Sequence, residues 1–336
     1  MFGGYILRKE LPLADPPIKH LLRVAYRAAI LLTMKNKEHW FYTNHIQIGC
    51  DLKRKEPSMV FVYVPFITEV RNGNVRTTKK SLNKFIHRIM KLIDKGVYVL
   101  VGLDEYYMPS RPSYGINHFN HNVLIYGYDS EKQEFLIQGY SERDIYEDRP
   151  LKFIDFEKAF TYYKNTYWVS YYKKNNKSIK KEKNNRTFNK KLYCHYKSIY
   201  PLYFRLFSAR NFCKNMCFGM QVYDVFKTLL YQQVEDCKYN PSVLRGLLAI
   251  SEQKYCIAMG YKYLSEKESE LIEFATFFEN LSNEYLKLRN MELKFKFSQK
   301  QEIAKRIITK MEQLIQDEYK VLTQYFEIVG SPFKFY

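Results

Sequence analysis

Two histidines three residues apart, His118 and His121, open the segment HFNHNVLIYGYDSEKQEFLIQGY (residues 118–140). Alternating apolar residues follow, then a tight turn at Tyr128-Asp129-Ser130 and a second apolar run, the pattern of a β-hairpin. An imidazole at the start of an apolar strand is rigidly held and faces outward, as a general base must. His121 is therefore the candidate base, with a strand-edge histidine satisfied by backbone as the bland alternative. His118 reads as a loop residue beside it, supporting the base or contacting substrate. A base needs an orienting acceptor, and counting along the hairpin puts Gln138 opposite His121, with Asp129 out at the turn. Asp104 and Glu105, at the end of the apolar run VYVLVGLD (97–104), either line the same cleft in contact with substrate or form a solvated strand end.

A nucleophile is harder to place. Cys50 is the only thiol among the first 172 residues, and it follows the extended-looking stretch HIQIG, so it reads as a buried structural thiol or, alternatively, as the nucleophile. Cys213 and Cys217 share a face if helical, with Cys194 and His195 nearby, but no second CxxC pair completes a four-ligand set. No metal and no cofactor are expected. The six cysteines read as reduced thiols, and the cytoplasm is the expected location.

The elements that must position these groups change character along the chain. Residues 16–33 read as a helix with prolines in its first turn. An extended stretch to Cys50, an apolar run at 59–67, a helix over 78–94, the strand 97–104, the hairpin, a helix capped by Asp155 and a strand at 166–172 follow. After residue 192 the periodicity becomes helical throughout, over 212–237, 240–264, 266–296 and 298–328. The order predicts an α+β fold: residues 1–172 with an antiparallel sheet, a basic polar linker at 173–192, and a mainly helical domain at 193–336.

The chain has 336 residues and a net charge of +19. Between Tyr172 and Leu192 stand nine Lys or Arg against one acid, so much of the excess sits in one polar run. Such a charge suits an acidic partner, and it leaves a nucleic-acid-binding protein as a minor alternative. No window approaches a membrane span, and GxxxxGK[ST], GxGxxG, HExxH and GxSxG motifs are all lacking.

The stretches PLADPP before a helix, HWFYTNHIQI, and VLVGLDEYYMPSRPSYGINHFNHNVLIYGYD, with FGMQVYDVF and LAISEQKYCIAMGYKYL in the helical half, resemble the butirosin biosynthesis protein H family. The resemblance covers most of the chain and is strongest over residues 97–140. It implies a papain-like (cysteine-peptidase-like) N-terminal domain and a role in nonribosomal peptide or related thiotemplated biosynthesis. The implied reaction moves an acyl group from an acyl or peptidyl carrier protein, bound as a phosphopantetheine thioester, to an amine. A Cys–His pair does the chemistry in that family. His121 takes the place of its histidine, Gln138 that of its orienting acid, and His20 falls at the helix start where its thiol belongs. The alternative within the same pathway is a non-catalytic binding or scaffold protein.

Overall fold

The computed structural model describes residues 7–52, 59–61, 70–77, 82–142, 145–161, 167–174, 185–199, 215–266 and 268–332. It is mixed helix and antiparallel sheet, as an α+β fold requires. The chain divides into two units, residues 1–35 with 66–181, and residues 36–65 with 182–336. The segment from 36 to 65, expected in the N-terminal domain, thus belongs to the helical unit. Residues 175–184, half of the expected 173–192 linker, lie outside the described residues, as does the apolar run beyond Phe61; the described part is not a linker, since Lys173 and Lys174 end a strand and residues 185–192 are helical.

The first unit holds β1 (Arg8–Glu10), α1 (Leu22–Leu31), β4 (Val70–Thr77), α3 (Leu82–Asp94), β5 (Val97–Asp104), β6 (Asn120–Asp129), β7 (Glu134–Tyr140), β8 (Tyr146–Lys152), α4 (Phe153–Thr161) and β9 (Tyr167–Lys174). The strands run in the order β4-β9-β5-β6-β7-β8, all antiparallel, and β1 pairs with β6 beyond the end of β5. Central β5 carries the buried Val97, Val99, Val101 and Leu103 on alternate positions. Against one face of the sheet, Phe85 of α3 and Phe156 and Phe160 of α4 build an aromatic core with Phe135 of β7. On the other lies α1, with Arg27 over the Tyr172 ring and Tyr26 beside Tyr146. The hairpin turn falls at residues 130–133, where Asp129 Oδ1 accepts from the amides of Glu131 and Lys132.

Two expectations shift here, and one strand appears that local pattern does not announce. Helix α1 begins at Leu22, six residues after Pro16, because no side chain caps it and the preceding chain is tied elsewhere, Leu11 N donating to Tyr126 O and Ala14 N to Ala29 O. Asp155 lies inside the first turn of α4 instead of capping it. The VRNGNVRT strand β4 has little β propensity of its own, and register-by-register pairing with β9 imposes it.

The second unit contains α2 (Glu38–Asn44), β2 (Ile48–Asp51), β3 (Met59–Phe61), α5 (Asn185–Tyr196), β10 (Met216–Phe218), α6 (Val222–Glu235), α7 (Pro241–Ser265), α8 (Leu271–Ser298) and α9 (Gln301–Val329). Strand β10 interrupts the expected 212–237 helix by pairing with β2. Where α6 meets α7, Gly246 leaves room for the Phe226 ring: a Cβ there would stand 1.6 Å from Phe226 Cζ. The bundle closes around fully buried charge. Lys254 pairs with Glu318 Oε1, His195 Nε2 lies 3.1 Å from the same oxygen, and Tyr223 donates to Oε2 at 2.7 Å. Burial pushes the Glu318 carboxyl up, but Lys254 and His195 outweigh it and hold its pKa at about 2.

Candidate functional site

The register of β5 on β6 creates the site. Leu103 stands across from His121 and Asp104 from Asn120, so the acidic pair that ends β5 meets the histidines that open β6. Between them the loop 105–119 leaves the sheet and returns, with Glu105–Tyr107 forming a 3-10 turn. Glu105 N donates to Phe119 O, which closes the base of the loop.

Each acid takes one histidine. Asp104 Oδ2 lies 2.7 Å from His118 Nδ1, and its Oδ1 accepts from the amides of Tyr106 at 3.2 Å and Phe119 at 3.0 Å. Asp104 is fully buried and satisfied on both oxygens, and Tyr106 stacks on the His118 ring at 4.4 Å. That carboxylate is a clamp for the loop. Glu105 is different: its Oε1 lies 2.7 Å from His121 Nδ1, and its side chain is almost wholly buried while that of His121 is 31% exposed. Among the described residues no protein group bonds the His121 Nε2. A carboxylate on Nδ1 fixes the proton there and leaves Nε2 as the acceptor, the arrangement in which an imidazole removes a proton from a substrate.

Arg111 and Tyr26 back this pair. Arg111 is 3% exposed and donates to Tyr140 O. Burial lowers its pKa, while the Tyr26 hydroxyl and the Glu105 carboxylate act to raise it. Tyr26 donates to Asn122 O at 2.8 Å, fixing the strand one residue beyond His121, and burial raises its own pKa. Space for Arg111 comes from Gly139, where a Cβ would meet Arg111 Nη2 at 2.6 Å and Tyr26 Oη at 3.2 Å. Sequence reasoning missed both residues. The signal for Arg111 was a lone cation in the Pro-bearing loop MPSRPSYG.

The remaining sequence candidates fall elsewhere. Gln138 pairs with Leu124, three residues along β6 from His121, so strand alternation puts it on the opposite face of the sheet. It donates to Asp148 at 3.0 Å and accepts from Tyr146 at 2.7 Å, and Glu105 holds the place expected for it. Cys50 is 1% exposed in β2 of the other unit, directly across from Cys217 of β10. His20 stands partly buried just ahead of α1. Cys213 lies outside the described residues; His195 is engaged with Glu318.

Residues 61–138 match the family model described as butirosin biosynthesis protein H, N-terminal. Over this span the chain is butirosin biosynthesis protein H-like. The match covers less than a quarter of the chain, yet the butirosin biosynthesis protein H-like segment holds β5, the 105–119 loop and most of the hairpin, hence both acid–histidine pairs and Arg111. No curated protein matches the chain. Among the described residues, no helix is long and apolar enough to cross a membrane.

Proposed function

We propose that this chain is a papain-like accessory protein of thiotemplated antibiotic or related biosynthesis, and that it promotes transfer of an acyl group from a carrier-protein thioester to an amine with His121 as general base. The observation that carries the reading is the 2.7 Å contact of Glu105 with His121 inside the butirosin biosynthesis protein H-like segment. The sequence also bears on the route. Residues 1–35 and 66–181 contain no cysteine, so the unit that holds His121 supplies no thiol for an acyl-enzyme. The reading is therefore direct aminolysis. The amine nitrogen attacks the thioester carbonyl and gives its proton to His121 Nε2, the C–S bond breaks, and the imidazolium returns the proton to the departing phosphopantetheine sulfur. Glu105 stabilises the imidazolium in between. A positioned base of this kind contributes roughly 10²–10⁴-fold. The +19 net charge favours encounter with an acidic carrier protein.

The missing thiol equally favours a second reading, a binding or scaffold protein of the same pathway that holds a loaded carrier without turnover. One experiment separates the two. A phosphopantetheinylated carrier protein loaded with a short acyl chain is mixed with the protein and a primary amine, and carrier, product and protein are followed by intact mass. The catalytic reading expects amide formation that falls at least about 100-fold in His121→Ala, persists in Cys50→Ala, and leaves no acyl adduct on the chain. Carrier binding with an unchanged amide rate in His121→Ala overturns it in favour of the scaffold.

A further inference from the structure

Cys50 and Cys217 are directly opposed residues of the antiparallel pair β2 and β10. Leu52 N donates to Asn215 O at 2.8 Å two positions away, which puts Cys50 and Cys217 at a hydrogen-bonded pair of the ladder. Cα atoms at such pairs lie about 5.5 Å apart, inside the range that a disulfide spans. Directly opposed residues project to the same face, so both thiols stand on one side of the two strands. They also interact: the Cys217 sulfur donates to Cys50 O at 3.8 Å. Both are free thiols, Cys50 buried and Cys217 partly exposed.

We propose that Cys50 and Cys217 form a reversible thiol–disulfide site that reacts with low-molecular-weight disulfides and locks β10 onto β2. The two thiols divide the chemistry by exposure. Cys217 is reachable, and the neighbouring Cys50 thiol favours its thiolate, while the Cys217 neighbour and burial disfavour a thiolate at Cys50. The Cys217 thiolate attacks one sulfur of the small disulfide, forming a mixed disulfide and expelling one thiolate. Cys50 then gives its proton to that thiolate and attacks the Cys217 sulfur, expelling the second small thiolate, which takes from water the proton that Cys217 had released. Two protein thiols are oxidised to one disulfide and one small disulfide is reduced to two thiols, with no further oxidant.

This step does not depend on the acyl-transfer reading, since it uses neither His121 nor Glu105. Its consequence is confined to the second unit. Strand β10 leads through Gly219–Gln221 into α6, so the bond ties the start of α6 to the strand that follows α2. The other cysteines offer a control: Cys194 and Cys256 are buried in helices.

The test uses the full chain equilibrated with glutathione and glutathione disulfide at a series of ratios, quenched with iodoacetamide, digested and mapped by mass. The expected result is a single two-electron transition that yields a Cys50–Cys217 cross-linked peptide, reversed by excess glutathione. Cys217→Ser is expected to leave Cys50 fully alkylated after denaturation, and Cys50→Ala to stop at a stable glutathione adduct on Cys217. The proposal is overturned if Cys50 stays reduced in glutathione disulfide alone, or if the cross-links formed join other cysteines.

Discussion

Glu105 Oε1 sits 2.7 Å from His121 Nδ1, while the neighbouring Asp104 is held by His118 and two backbone amides. Two adjacent carboxylates thus have different work. Asp104 closes a loop, and Glu105 orients an imidazole whose other nitrogen is open. Both follow from one register, Leu103 across from His121.

The two acids separate by mutation. Asp104→Ala leaves the amides of Tyr106 and Phe119 and the His118 ring without their acceptor and is expected to cost about 2–3 kcal/mol. Glu105→Gln keeps the side-chain shape and is expected to change stability by less than about 1 kcal/mol, while lowering amine transfer by at least about tenfold through loss of the negative partner. Urea titration and the carrier-protein assay, run on both variants, read the two effects. Equal stability losses contradict the division of labour.

Glu292 has a pH signature. It is wholly buried, with Gln233 donating to Oε2 at 2.9 Å, and burial raises its pKa from 4.5 to about 7. The folded state then binds more protons than the unfolded state between about pH 4.5 and 7, so this group's contribution is full below 4.5 and is lost as pH rises through 7. Glu292→Gln is expected to gain on the order of 2 kcal/mol at pH 8 and nothing at pH 4.5. Thermal denaturation at the two pH values checks the sign.

The Glu318 centre behaves oppositely. Its pKa is depressed to about 2, so its stabilisation is present above 4.5 and lost as pH falls toward 2. Lys254→Met leaves a buried carboxylate with less compensation and is expected to cost about 3–5 kcal/mol, much of which Lys254→Met with Glu318→Gln recovers. Double-mutant denaturation gives the coupling; additive losses contradict a buried pair.

Gly246 tests the α6–α7 contact. With Phe226 Cζ 1.6 Å from the place of a Cβ, Gly246→Ala is expected to destabilise by about 2 kcal/mol or more despite the better helix propensity of alanine. Gly246→Ala combined with Phe226→Leu is expected to recover part of that loss. Melting temperatures of the three proteins decide it.

Where local pattern and tertiary structure agree, the sequence was a good guide. The β5 run VYVLVGLD, the hairpin, and the long helices α7, α8 and α9 carry their periodicity openly. Non-local pairing accounts for the failures. The Asn-Gly-Asn of β4 has no strand signature without β9, and Met216–Phe218 becomes a strand only because β2 lies beside it. At the site, the place of His121 at the head of an apolar strand was legible, but its contact with Glu105 was not. Counting along the hairpin reached Gln138, and strand alternation sends that residue to the other face. Glu105 is 16 residues earlier, and only the pairing of β5 with β6 brings it in.

The central claim is that Glu105 fixes the His121 proton on Nδ1, and nitrogen-15 NMR of the imidazole at pH 8 tests it without any substrate. The account predicts the Nδ1–H tautomer for His121 in the wild-type protein and its loss in Glu105→Gln. A His121 ring protonated on Nε2 in the wild type, or a tautomer unchanged by Glu105→Gln, would contradict it.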